Sequence, residues 1–208
     1  MAPYASTFDA APQETYDRTQ VVIRIIVLIV LSLLGFALGW LSALLWLGVP
    51  VAAAVLISQH GAQQYLDEAE TNMTKWLRLI VRLYAYIGLL TDRFPGEEAD
   101  HPVSFSVAPA GTPTAGEVLL RIILVIPHAI VLALLGIVAG ILLLIAAIMV
   151  LVQESYPESI FNFLRGYLRW ETRVLVYLAG LTDEYPPFAL DTDSEQRALP
   201  AGGPPPPM

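Results

Sequence analysis

The stretch "RLYAYIGLLTDRFPG" (82–96) and the stretch "RVLVYLAGLTDEYPP" (173–187) are near copies of each other, and that likeness decides the fold. Arg82 aligns with Arg173, Tyr86 with Tyr177, Thr91-Asp92 with Thr182-Asp183, and Phe94-Pro95 with Tyr185-Pro186. Further out, "VVIRIIVLIVLSLLGFALG" (21–39) aligns with "VLLRIILVIPHAIVLALLG" (118–136), setting Arg24 on Arg121 and Gly39 on Gly136. The copies lie 97 residues apart at this end and 91 at the Thr-Asp end, so the first carries about six extra residues between Gly39 and Tyr65. Repetition on this scale reads as a tandem duplication.

Composition gives the class. The chain has 208 residues, 56% of them hydrophobic and 14% charged, with mean hydropathy +0.61. Soluble domains carry roughly 25% charged residues. No Asp, Glu, Lys or Arg stands between Arg24 and Asp67, or between Arg121 and Glu154. A membrane span needs about 20 apolar residues, and a charge at its centre costs about 3 kcal/mol. Two such gaps predict an integral membrane protein. The segment before the first block is acidic, and the block exceeds the roughly 7–15 apolar residues of a signal peptide, so a retained anchor is expected.

The net charge of −8 is unevenly spread. Acids gather in the N-terminal arm, at Asp67 to Glu70, in the linker (Glu97, Glu98, Asp100) and in the tail, while bases flank the apolar blocks. No basic soluble face offers a nucleic-acid footprint. Without cysteine there is neither a disulfide framework nor a thiolate site.

Charge also suggests topology. Arg24 precedes block one and Lys75, Arg78 and Arg82 follow it; Arg121 and then Arg165, Arg169 and Arg173 bracket block two. The positive-inside rule sets all of these on the cytoplasmic side, so each block enters and returns. The expected fold is an all-α integral membrane protein of two tandem repeats, each a transmembrane helical hairpin followed by an amphipathic interfacial helix. Its parts are a cytoplasmic arm (1–20), repeat one (21–95, hairpin about 21–59, interfacial helix about 66–90) and a linker (96–117). Repeat two (118–188, hairpin about 118–153, interfacial helix about 158–181) and a proline-rich tail (189–208) follow. The hairpin turns are expected near 39–42 and at Gly136 to Gly140. One long tilted helix per block is the alternative. Pro50 and Pro127 fall inside spans, where neighbouring helices tolerate a kink.

In "TKWLRLIVRLYAYIGLL" (74–90) Arg78 and Arg82 are four apart; in "FNFLRGYLRWETRVLVYLAGL" (161–181) Arg165, Arg169 and Arg173 repeat that step. Cationic stripes opposite apolar faces, with Trp76 or Trp170 nearby, predict helices in the headgroup plane whose guanidiniums reach lipid phosphates. These five arginines are the candidate lipid-headgroup residues. The alternative is that they only snorkel. Asp92 and Asp183 read either as paired acids or as part of a helix stop before proline. Arg121 and His128, seven apart, form a candidate intramembrane polar site. "PVSFSV" (102–107) alternates like a strand but has no evident partner, so extended chain is expected. No nucleotide, hydrolase or metalloprotease fingerprint occurs, and His60 and His101 lack a second ligand at useful spacing. Neither an enzyme nor a metal or cofactor is expected.

Repeat two carries Arg121, Ile126-Pro127-His128, Tyr156-Pro157-Glu158, Phe161-Asn162-Phe163, Leu168-Arg169-Trp170 and Leu181 to Phe188. These elements resemble the repeat of a bacterial membrane-protein family carried as a domain of unknown function. Copy one departs from it: "LIVLS" replaces Ile-Pro-His, and Tyr65-Leu66-Asp67 replaces Tyr-Pro-Glu. The family supplies no activity. The expected role is a non-enzymatic plasma-membrane scaffold or accessory protein with both termini cytoplasmic. Its partners would be anionic lipids, a membrane protein or a second copy of itself; a small transporter or channel component is the alternative.

Overall fold

The structure, a computed structural model, describes residues 4–33, 38–69, 72–96 and 101–191, with backbone alone for 27–33 and 38–43. It is mostly helical. In order come β1 (Ser6–Ala10), α1 (Arg18–Leu33), α2 (Leu38–His60), α3 (Ala62–Asp67), α4 (Met73–Ile87), β2 (Val103–Val107), α5 (Ala115–Leu124), α6 (Ile126–Gln153) and α7 (Glu158–Leu178).

One helix, α6, is long and apolar enough to cross a membrane, and it differs from a core helix in what it leaves uncovered. Its 28 residues span about 42 Å. Only His128, Leu132, Ala139, Ala146 and Val150 are buried, a single stripe, and 17% of its most apolar window is covered. The rest, including Leu134, Ile137, Ile141 and Leu144, stands exposed.

Two expectations are corrected here. No turn occurs at Gly136 to Gly140: α6 is continuous there, and the second block is instead broken at Val125 alone, between α5 and α6. Pro127 is the cause. It lacks an N–H, and its ring collides with the carbonyl four residues back. In the first block the chain is helical from Leu38 onward, so the turn is not at 39–42; residues 34–37 lie outside the described residues. The acidic linker residues Glu97, Glu98 and Asp100 and the tail beyond Asp191 also lie outside them.

α5 packs on α2, while the first turns of α1 pack on the last turns of α6. Val21 and Val150 share a small core there, and Tyr16 N–H donates to the Glu154 carbonyl. The beginning of each apolar block therefore lies against the end of the other.

The chain then doubles back through α7. His128 meets Trp170 and Gly136 faces Tyr167, so α7 runs antiparallel to α6. α7 does not lie on a surface, which corrects the expected interfacial helix at 158–181. Almost every side chain from Leu164 to Leu178 is buried, between α6 on one side and α4 with a two-stranded sheet on the other. α4, by contrast, keeps the expected amphipathic form: Met73, Leu77, Val81 and Ala85 face inward, Trp76 and Leu79 outward.

The sheet also corrects an all-α reading. "STFDA" (6–10) pairs antiparallel with "VSFSV" (103–107), Phe8 opposite Phe105. Both Phe8 and Phe105 turn inward, as period-two alternation requires.

Candidate functional site

The Thr-Asp phrases come first, because they do the same thing twice. Each helix ends in a Schellman turn. In α4 Leu90 N–H donates to the Ala85 carbonyl (2.9 Å), with Leu89 left-handed at φ 60°. In α7 Leu181 N–H donates to the Val176 carbonyl (3.2 Å), with Gly180 at φ 69°. The helix stop is thus made before the Thr-Asp pair, which is free for another task.

That task is to hold an arginine. Arg24 donates to the Thr91 carbonyl (2.7 Å) and to Asp92 Oδ1 (2.9 Å), and lies over the Tyr86 ring at 4.2 Å. Arg121 donates to the Thr182 carbonyl (2.5 Å), the Tyr177 carbonyl (2.8 Å) and Asp183 Oδ1 (2.6 Å), and lies over the Tyr177 ring at 4.5 Å. The second oxygen of each aspartate accepts a backbone N–H just ahead of its own block, from Asp17 (2.9 Å) and Thr112 (3.1 Å). Each clamp locks the start of an apolar block to the end of the helix that follows it.

Contacts also cross between the halves. Arg78 Nε donates to the Phe105 carbonyl (3.3 Å), and Arg169 Nε to the Phe8 carbonyl (2.9 Å). Tyr65 caps the Ala179 carbonyl (2.5 Å), and Tyr156 the Gly88 carbonyl (3.3 Å). Burial raises the pKa of both tyrosines well above the usual value, so they remain donors.

The expected headgroup arginines are therefore placed as follows. Arg169 is buried between Asp9 (2.8 Å) and Asp191 (2.6 Å). Arg165 is 3.6 Å from Asp9 and donates to Asn162; burial, then the adjacent Arg169 charge, pulls its pKa down. Arg173 donates to the Ala189 and Leu190 carbonyls. These three serve protein partners rather than an exposed stripe, because both ends of the chain fold over them. Arg78 and Arg82 are half-buried on α4, whose outward edge is Lys75 and Trp76.

Arg121 and His128 are not joined. Tyr177 and Tyr185, 5.6 Å apart, stand between them. His128 stacks on Phe188 (3.9 Å, 13°), and its Nδ1 accepts from Trp170 Nε1 (2.9 Å), which leaves the proton of the neutral ring on Nε2. Among the described residues no group of three His, Asp or Glu side chains could hold a metal ion.

Beside this histidine a cleft of about 500 Å³ opens between α2, α5, α6 and α7. Its walls are apolar, and Glu171 stands at its floor. Glu171 is 7% exposed, and burial raises its pKa to about 7. Among the described residues no hydrogen bond or charged partner opposes that burial, which alone causes the shift. The sequence carried a signal for it. Leu164, Leu168, Leu175 and Leu178 form a stripe at three- and four-residue steps, and Glu171 occupies the missing step. A carboxyl inside a leucine stripe needs a reason.

Residues 116–189 match DUF4389, a domain of unknown function. No curated protein and no solved structure matches the chain. The DUF4389 segment runs from the first turn of α5 through α7 to Ala189. It contains the Arg121 clamp, the His128 stack and Glu171.

Proposed function

We propose that the protein is a non-enzymatic integral membrane protein of the plasma membrane, built from two copies of one unit, which anchors and organises lipid or a membrane partner. The observation that carries this reading is the uncovered apolar flank of α6, continued on α5 by Leu119, Leu120 and Ile123. Exposed apolar patches beyond a few hundred Å² mark interaction or membrane surfaces. On α4 the exposed edge of Lys75 and Trp76 supports contact with anionic headgroups, Trp at the interface and Lys toward phosphate.

The duplication is supported by reciprocity. The strand register is isologous: Phe8 faces its own equivalent at the 97-residue offset, Phe105, and the pair Ser6–Val107 is mirrored by the pair Ala10–Val103. The arginine and tyrosine contacts cross between halves in the same reciprocal way. Because each block begins where the other ends, the end of block one and the start of block two belong at the same membrane face, which we take as cytoplasmic. Resistance to alkaline carbonate extraction tests membrane integration. Reporters fused after Leu66 and after Glu117 test topology: both should read cytosolic, and opposite readings overturn the arrangement.

A further inference from the structure

The cleft above Glu171 has the chemistry of a ligand site. We propose that it binds one lipophilic amine from the bilayer, its ammonium paired with Glu171 and its apolar body along α6. Three observations lead there. The carboxyl is buried without a partner among the described residues, and a charge in that position is costly unless a donor or cation meets it. Its surroundings are apolar, and the volume suits one drug-sized body or a single hydrocarbon chain. Leu47 of α2 and Ile126 and Ala133 of α6 line it and are exposed, the latter two on the flank that carries the membrane reading, so entry from the bilayer rests on that reading.

The walls favour a guest rich in donors. Tyr167 Oη directs its proton to the Leu132 carbonyl, so its remaining capacity is that of an acceptor. Pro50 deprives the Trp46 carbonyl of its helical N–H, and Trp46 also lines the cleft. An ammonium offers three donors and a charge opposite to that of Glu171. A fatty acid offers a second anion and is repelled. When the amine binds, it favours the ionised carboxylate, so binding strengthens as pH rises through the range where free Glu171 loses its proton.

The test uses full-length protein in nanodiscs with decylamine, decanol and decanoate as probes, followed by Trp fluorescence and thermal shift. Decylamine is expected to saturate and to bind about tenfold or more tightly than decanol or decanoate, the step worth one charge-assisted bond. Glu171→Gln should abolish that preference, and Ala133→Phe, which plugs the rim and leaves Glu171 in place, should weaken all three probes. Circular dichroism confirms that each variant is folded. Equal binding of the three probes, or undiminished decylamine binding in Glu171→Gln, overturns the proposal. Carbonate extraction separates the two readings. Amine binding by a protein found in the soluble fraction removes the membrane reading and keeps the site, whereas a membrane-resident protein without amine preference does the reverse.

Discussion

The Arg24 clamp and the Arg121 clamp share one design and differ in their surroundings. Arg24 has one carbonyl and Asp92, with the carboxylate 17% exposed; Arg121 has two carbonyls and Asp183, with the carboxylate 50% exposed. In the alignment, the first half's equivalents of the second half's polar groups are apolar: Ile80 stands for Glu171 and Leu31 for His128. The Schellman turn and the arginine clamp are common to both halves, while the unusual chemistry is in one. The DUF4389 match covers the half that carries this chemistry.

Substitutions can break that comparison in order of size. Asp92→Ala strands a buried guanidinium and is expected to cost about 3–5 kcal/mol, whereas Asp183→Ala, which leaves Arg121 two carbonyls and water, should cost about 1–2 kcal/mol. Thermal unfolding of the two variants in one detergent checks the ranking. Glu171→Ile imports the first half's residue. The folded carboxyl titrates near 7 rather than at its ordinary 4.5, so the native state holds the extra proton between those values. The Glu171 contribution to wild-type stability is then largest below about 4.5 and declines as pH rises toward 7, by up to about 3 kcal/mol; the isoleucine variant should lack that component of the pH dependence. His128→Ala loses the Trp170 hydrogen bond and the Phe188 stack, and should cost about 2–3 kcal/mol with a shift in Trp170 fluorescence. Gly180→Ala should cost about 1–2 kcal/mol in the same assay. Its Cβ would lie 2.8 Å from Val118 Cγ2 at a positive φ.

Much of this was legible along the chain. The apolar block of α6 and the shared role of Arg24 and Arg121 depend only on local sequence. The sheet was hidden because its strands are five residues each and their partner lies 97 residues away. α7 was misread because an arginine every fourth residue normally marks a wet face; the neutralising acids, Asp9 and Asp191, come from the two ends of the chain. The break at Val125 was signalled by Pro127, but the glycines further on outweighed it. Glu171 was visible as an interruption in the leucine stripe.

The Phe8–Phe105 pairing carries a consequence for assembly. A strand that meets its own counterpart about a two-fold would meet an identical strand equally well, Phe8 on Phe8. A single-repeat chain should therefore close as a homodimer, and the linker here acts as a tether that raises the halves' effective concentration. Co-expressed fragments 1–96 and 97–208 are expected to find each other and co-purify.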